Sequence, residues 1–273
     1  MPELPEVETI ARNLSKGKGD APSVVGKTIT SAEVFWPRTV AEPDSRAFVR
    51  LIKGQQIEEI SRRAKYLVFR LSDDVLLVHL RMSGDLVVCP AGEACAAHVR
   101  LRLELDGDWH LDFNNPRKFG RVWLLDDPSS LFDKLGPEPL DPALTPDAFY
   151  QRLHSRKRQI KPLLLDQGFL AGMGNIYTDE ALNLAKIHPL TRADEIRQDQ
   201  ADTLLSSIRE VLEEGIRRNG ASIDWVYQGG DFQNYFRVYQ RTGEPCPACG
   251  TPVERIVVGQ RGTHFCPQCQ TAG

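Results

Sequence analysis

Four cysteines near the C-terminus, in CPAC (246–249) and CPQC (266–269), carry the most specific chemistry in this chain. Two residues between the members of each pair let both sulfurs reach one tetrahedral ion. VERIVV, GQRG and THF between the pairs read as a hairpin with Arg261 near its tip. Cys246, Cys249, Cys266 and Cys269 therefore predict one Zn2+, and four thiolates leave no position for water, which makes the ion structural. A redox dithiol is the competing reading. The remaining cysteines, Cys89 and Cys95, lie in CPAGEAC; a reducing compartment argues against a structural disulfide, and they are assigned no role. The opposite terminus raises a different question. MPELPEVE sets Pro2, Glu3, Pro5 and Glu6 at the front of the chain. Pro5 can open a helix and the acids can sit on its positive end. That reading says nothing about Pro2, directly behind the initiator methionine.

The elements that must position these residues follow from composition and periodicity. A length of 273 residues suggests two domains with a small appendage, and 41% hydrophobic residues suffice for a sizeable core. There is no signal-peptide h-region and no apolar run of the ~20 residues that cross a bilayer, so the reading is cytoplasmic with no membrane. The net charge of −3 argues against nucleic acid only if charge is evenly spread. It is not. RLHSRKRQIK holds Arg152, Arg156, Lys157, Arg158 and Lys161 without one acid, a stripe suited to phosphates or else a solvated helix face.

PEVETIARNL puts Val7, Ile10, Ala11 and Leu14 on one helical face. Short strands follow: KTITSAEVFW, QIEEIS, KYLVFRL, VLLVHLRM, HVRLRLEL, WHLDF and GRVWLL. In HVRLRLELDGDWHLDF the apolar alternation resumes after Asp106-Gly107, a two-residue hairpin turn. Many strands with a single helix predict a β-sandwich or flattened barrel. GPEPLDPALTPD is a proline-rich, acidic linker, and beyond it TLLSSIREVLEEGIRRNG is an amphipathic helix ended by Asn219-Gly220. GASIDWVYQGGDFQNYFRVYQ reads as a long mobile loop leading into a strand.

PELPEVE, NNPRKFG (114–120), LLLDQGFLAGMGNIYTDEAL (163–182) and the C-terminal cysteine pairs occur in this order. Together they closely resemble the formamidopyrimidine-DNA glycosylase family, bacterial base-excision enzymes for oxidised purines. Leu4 favours that branch over the related endonuclease VIII branch, which usually begins Pro-Glu-Gly. The resemblance implies an α+β multidomain fold: an N-terminal β-sandwich (1–135), a linker (136–148), a helical domain with a helix–two-turns–helix motif and a lesion-recognition loop (149–240), and a zinc ribbon (241–273). It implies double-stranded damaged DNA as partner and a monomer, with zinc the only cofactor.

The resemblance also implies roles. Pro2, exposed by methionine removal, is the nucleophile; an α-amino group has a pKa near ~8 against ~10.4 for lysine, so far more of it is free base at neutral pH. Glu3 shuttles a proton and Glu6 supports the amine. Lys65 in RRAKYLVF assists elimination, with Ala64 where the family usually has glycine. Met82, Arg117 and Phe119 fill the void left by an everted base, with Asn115 in place of a common aspartate. Asn175, behind two glycines at a helix start, binds phosphate, joined by His98, Lys157 and Arg261, the last also linked to δ-elimination. The loop at 221–235 reads the flipped base.

Overall fold

Alternating apolar and polar side chains build the first part of the chain. The computed structural model describes residues 2–93, 97–222, 227 and 229–271. Contacts divide the chain into two units, Met1–Phe132 with Ser222–Gly230, and Asp133–Ala221 with Asp231–Gly273. The first unit runs α1 (Leu4–Lys16), β1 (Ile29–Val34), β2 (Val40–Glu42), α2 (Ser45–Ile52), β3 (Ile57–Arg63), β4 (Tyr66–Leu71), β5 (Val75–His79), β6 (Asp85–Pro90), β7 (Val99–Leu105), β8 (Trp109–Asn114), β9 (Arg121–Leu125) and α3 (Ser129–Phe132). One sheet has the order β1-β7-β8-β6 and the other β2-β9-β5-β4-β3.

Both sheets send their apolar faces into one core. Leu103, Leu111 and Phe113 of the first meet Leu67, Phe69, Leu76 and Val122 of the second, with Val7, Ile10 and Leu14 of α1 added. That is the sandwich expected from the strand pattern. Three details differ. The β7–β8 hairpin closes at Leu105↔Trp109, so its loop has three residues, with Gly107 (φ 72°) and Asp108 (φ 61°) both left-handed. The pair β2–β9 is parallel. And α2 is a second helix where a single one was expected: Asp44 caps it by accepting from the Arg46 and Ala47 amides (2.9 and 3.1 Å), and Phe48 and Ile52 bury its inner face.

The second unit holds α4 (Pro146–His154), α5 (Ile160–Leu164), α6 (Asn175–Leu184), α7 (Gln198–Arg217) and the hairpin β10 (Glu254–Val258) and β11 (Arg261–Phe265). Leu204, Leu205, Ile208, Val211 and Leu212 form the buried stripe of α7. Where 220–240 was expected to lead into a strand, no strand lies among the described residues of that stretch; Phe232–Tyr235 is a single 3-10 turn. Glu180 of α6 takes the three amides that a strand partner would have used, those of Arg237 (2.7 Å), Val238 (3.0 Å) and Tyr239 (2.8 Å). The basic stripe also changes: Arg156, Lys157 and Arg158 are exposed, but Lys161 is fully buried because the apolar first turn of α5 turns it inward.

Cys89 is disulfide-bonded, against expectation, while the four C-terminal cysteines are free. A turn directly after it, closed by the Glu93 amide on Pro90 O (3.2 Å), reverses the chain; Cys95 lies outside the described residues.

The β3–β4 turn has only two residues, Ala64 and Lys65, between the paired Arg63 and Tyr66. Ala64 sits at φ 53°, a left-handed conformation that costs an L-residue about 1–2 kcal/mol. Ala64→Gly should therefore stabilise the protein by about 1 kcal/mol, read as a higher denaturant midpoint with unchanged slope. An unchanged or lower midpoint would show that the turn carries no such strain.

Candidate functional site

In the first unit, α1 begins with its acids inside. Pro2 is buried, and Glu3 and Glu6 are each 2% exposed. The Glu6 carboxylate reaches back to accept the Glu3 amide (2.8 Å), and the Val7 amide closes the first helical bond on Glu3 O (3.1 Å). Helix dipole and free N-terminal amides favour negative charge there. Glu8, one turn on, accepts from Arg62 Nε (3.1 Å), and the same guanidinium donates to Ala64 O (2.9 Å). Arg62 thus ties the β3–β4 turn, and Lys65 with it, to the early turns of α1. Lys65 is 5% exposed, so its ammonium is not the solvated cation that a lysine beside a strand usually is.

Tyr66, next along, pairs with His79 across β4–β5, and their rings meet edge to face at 4.8 Å. Burial first, then the charges of Arg81 and Lys65, push His79 down to about 3. Its Nδ1 accepts the Arg81 amide at 3.0 Å, which keeps the ring neutral and fixes its orientation. His79 was not singled out in the sequence; its only signal is a lone polar residue in the apolar run VLLVHL.

The chain crosses from one sheet to the other twice on the same side. The segment 80–84 joins β5 to β6, and 115–120 joins β8 to β9; β5 neighbours β9 and β6 neighbours β8. The two turns are therefore adjacent, and the Arg117 amide donates to Ser83 Oγ (3.4 Å). Met82 (37% exposed) and Phe119 (51% exposed) emerge from them, with the Arg117 guanidinium 5.4 Å from the Phe119 ring centre. The turn 115–120 is stiff. Asn115 O accepts from Arg100 Nε (3.0 Å) and the Lys118 amide (3.2 Å), and its own amide donates to His98 O (2.8 Å). Lys118, left-handed at φ 61°, lays its ammonium 4.3 Å from the Trp36 ring centre. Gly120 is required: a Cβ there would stand 2.0 Å from Asn115 Nδ2. Asn115 thus holds the turn by its backbone, and its buried carboxamide has no partner among the described residues. His98 is exposed, one residue before β7. Trp36 lies too far along the sequence for any local pattern to associate it with this turn.

In the second unit, Gly174 caps α6 and Asn175 is its first residue. Asn175 Nδ2 donates to Gly262 O in the β10–β11 hairpin (3.0 Å), and Lys161 Nζ donates to the same oxygen (3.1 Å). Lys161 also pairs with Asp179 (2.5 Å), whose other oxygen accepts the His264 amide (2.9 Å). α5, α6 and the hairpin are locked at one carbonyl, which leaves Arg261, its neighbour, exposed at the hairpin's tip as the first residue of β11. Lys157 is exposed on the loop before α5 and is not part of this cluster.

The four sulfurs of Cys246, Cys249, Cys266 and Cys269 lie within 4.8 Å of one another. Four thiolates around a tetrahedral ion at ~2.3 Å require separations of this order, so the donor set fits one structural Zn2+. Gln270 fastens the site to α6, accepting from the Cys266 amide (2.9 Å) and from Asn183 Nδ2 (2.9 Å).

Family profiles match three stretches: the formamidopyrimidine-DNA glycosylase N-terminal domain over residues 1–122, its H2TH domain over 135–226, and a zinc finger found in FPG and IleRS over 243–272. Formamidopyrimidine-DNA glycosylases of Chloroflexus aurantiacus and Enterococcus faecalis are 48% and 41% identical, over 99% of this chain and 98% and 97% of theirs. The fold matches Lactococcus lactis FPG (MutM) in complex with Fapy-dG-containing DNA (TM-score 0.91, 38% identity, 99% of this chain and 100% of that one). It also matches the same enzyme bound non-covalently to DNA with an AP site (TM-score 0.91, 39% identity, 99% and 100%).

Elemental analysis should find about one zinc per chain, and chelation should unfold the ribbon, read as faster hydrogen exchange of the β10 and β11 amides. Unchanged exchange in metal-free protein would show that the ribbon does not depend on the ion. The neutral His79 makes a second expectation. Unfolded, it takes up a proton near 6.5; folded, only near 3, so between these values the unfolded chain binds more protons and stability falls as pH falls. From pH 7 to 5 this amounts to about 2 kcal/mol. His79→Asn, which keeps an acceptor for the Arg81 amide, should lose that much less over the same range in denaturant titrations. Parallel losses in both proteins would refute the assignment.

Proposed function

The chain belongs to the formamidopyrimidine-DNA glycosylase family, and from that premise we propose that it is a bifunctional glycosylase and AP lyase that excises oxidised purines, 8-oxoguanine and formamidopyrimidines, from duplex DNA. The observation that carries the reading is the buried start of α1, where Pro2 adjoins two enclosed carboxyl groups and the turn bearing Lys65 is tied to the same helix.

After methionine removal, the Pro2 nitrogen attacks the sugar C1′. The bond from C1′ to the base nitrogen breaks, and the base leaves with a proton passed through Glu3. The nitrogen, now bonded to C1′, gives up its proton, and its lone pair expels O4′: the C1′–O4′ bond breaks, O4′ takes up a proton to become a hydroxyl on C4′, and C1′ is left as an iminium ion. The iminium acidifies C2′–H. Removing that proton, with Lys65 assisting, breaks the C3′–O bond, and a second elimination with Arg261 breaks the C5′–O bond. Glu6, holding the Glu3 amide, fixes the first turn around the amine. The adjacent turns that present Met82, Arg117 and Phe119 support the filling of the space left by the everted nucleotide. Asn175, Lys157, His98 and Arg261 supply phosphate contacts, with α6 offering its N-terminus. Zinc holds the ribbon and takes no part in the chemistry. The protein acts as a monomer in a bacterial cytoplasm; among the described residues no helix is long and apolar enough to cross a membrane.

Borohydride should trap a covalent complex with a duplex containing 8-oxoguanine opposite cytosine, and peptide mapping should place the adduct on residue 2. The same duplex should be nicked on both sides of the lesion, at least tenfold faster than one containing thymine glycol. An adduct elsewhere would remove Pro2 as nucleophile. Preference for thymine glycol would move the protein to the endonuclease VIII branch, and binding without nicking would leave a DNA-binding protein that lacks the chemistry.

A further inference from the structure

Arg117 and Phe119 are separated in the chain by Lys118, and these three long side chains meet two different rings. The Arg117 guanidinium lies 5.4 Å from the Phe119 ring centre, whereas the Lys118 ammonium lies 4.3 Å from that of Trp36. Lys118 is exposed and holds no ion pair among the described residues, so the indole face is what meets its charge. Its φ of 61° is left-handed, a conformation that a lysine rarely adopts.

Trp36 is itself fixed. It stands just past the end of β1, where its amide (3.3 Å) and that of Phe35 (3.0 Å) both donate to Arg100 O on β7. The Arg100 side chain serves the turn instead: its Nε donates to Asn115 O (3.0 Å), the oxygen that also accepts the Lys118 amide (3.2 Å). One residue of β7 therefore holds both sides of the contact, the indole through its main chain and the root of the turn through its guanidinium. At the far end of the turn, the Arg121 guanidinium donates to the carbonyls of Lys118 (3.2 Å), Phe119 (3.3 Å) and Gly120 (2.9 Å). Between these ends the Arg117 amide makes the longest bond of the set, 3.4 Å to Ser83 Oγ, and the Lys118 side chain makes the contact with Trp36.

We infer that Trp36 is a positioning residue for the filling of the void: by holding the Lys118 ammonium on its face, it sets where Arg117 and Phe119, on either side of Lys118, stand as the damaged nucleotide leaves the stack. This rests on Arg117 and Phe119 being the filling pair. Trp36 acts through Lys118 and does not touch the reacting atoms. A filler presented out of place leaves the unstacking of the base uncompensated, so excision slows. An abasic nucleotide has no base to unstack and needs that help less.

The test measures single-turnover excision from a duplex with 8-oxoguanine opposite cytosine, and strand cleavage of the same duplex with an abasic site in its place. Trp36→Leu removes the π face and keeps apolar bulk; Lys118→Met removes the charge and keeps the chain. Each should excise 8-oxoguanine about tenfold more slowly and cleave the abasic duplex within about twofold of wild type. The double variant Trp36→Leu/Lys118→Met should be no slower than either single, since one contact is broken only once. Trp36→Phe and Lys118→Arg keep a ring and a cation and should stay within about threefold of wild type. In an Arg117→Ala/Phe119→Ala background, already slowed, Trp36→Leu should add less than about twofold, an outcome that general loss of structure would not give. Hydrogen exchange of the Lys118 amide, which is independent of the chemistry, should quicken in Trp36→Leu and Lys118→Met and stay unchanged in Trp36→Phe. Wild-type excision by Trp36→Leu, or an equal loss on both duplexes, would overturn the inference. So would slowing by Lys118→Met alone, with a shallower salt dependence of binding, which would make Lys118 a phosphate contact. Wild-type excision by Arg117→Ala/Phe119→Ala would count against the filling pair instead, and the exchange measurement would still decide whether Trp36 orders the turn.

Discussion

A carboxylate taken out of water must be matched by donors or counter-charge, at a cost of several kcal/mol if it is not. The start of α1 lives under that constraint. Glu3 and Glu6 are both enclosed, and what makes this tolerable is the set of free amides at the first turn, one of which Glu6 accepts. The helix must begin where it does, since a shift of one residue would carry the Glu6 side chain away from the Glu3 amide. The hairpin must end where it does, even with Ala64 left-handed, because a longer turn would carry Lys65 away from α1. Local strain at Ala64 is thus the consequence of a position set elsewhere.

The second unit obeys the same rule with a different centre. Gly262 O accepts from Lys161 and Asn175, and Lys161 is neutralised by Asp179, itself bonded to the His264 amide. A buried ion pair contributes less to stability than its contact suggests, because both charges give up hydration. What it supplies is registry. α5, α6 and the β10–β11 hairpin can meet in only one way without stranding a charge, and the zinc knuckles keep the hairpin's other end from drifting. The exposed Arg261 therefore projects from a rigid base.

Legibility in the sequence followed the range of the interactions. Alternation in HVRLRLEL and WHLDF and the cysteine spacing are local, and they located β7, β8 and the ribbon. α2 was missed although Asp44 is a good cap, because its eight residues sit among strands and expose a polar outer face. The glycine-rich, aromatic stretch 220–240 reads as a loop leading into a strand, but the amides at 237–239 are taken by Glu180, more than fifty positions away. Lys161 read as one more cation in a basic run, since nothing local shows that Asp179 will meet it. Trp36 beneath Lys118 is of the same kind: the contact spans more than half of the first unit in sequence, and neither partner carries a pattern that names the other.

Distribution of charge also explains why a net charge of −3 says little about what the surface attracts. Many of the acids are spent on neighbours: Asp194 on Arg192, Asp199 on Arg197, Glu214 on Arg217 and Arg218, Asp166 on Arg158. Exposed pairs of this kind add little stability but cancel each other's field within a few ångströms. By contrast Arg117, Lys157 and Arg261 are exposed and hold no ion pair among the described residues. At physiological salt, fields fade over about 8 Å, so a phosphate responds to those uncompensated cations and hardly to the total. The pairing pattern, which only the fold reveals, therefore determines what the surface attracts, and a change of net charge made within the paired set would leave that attraction nearly unaltered.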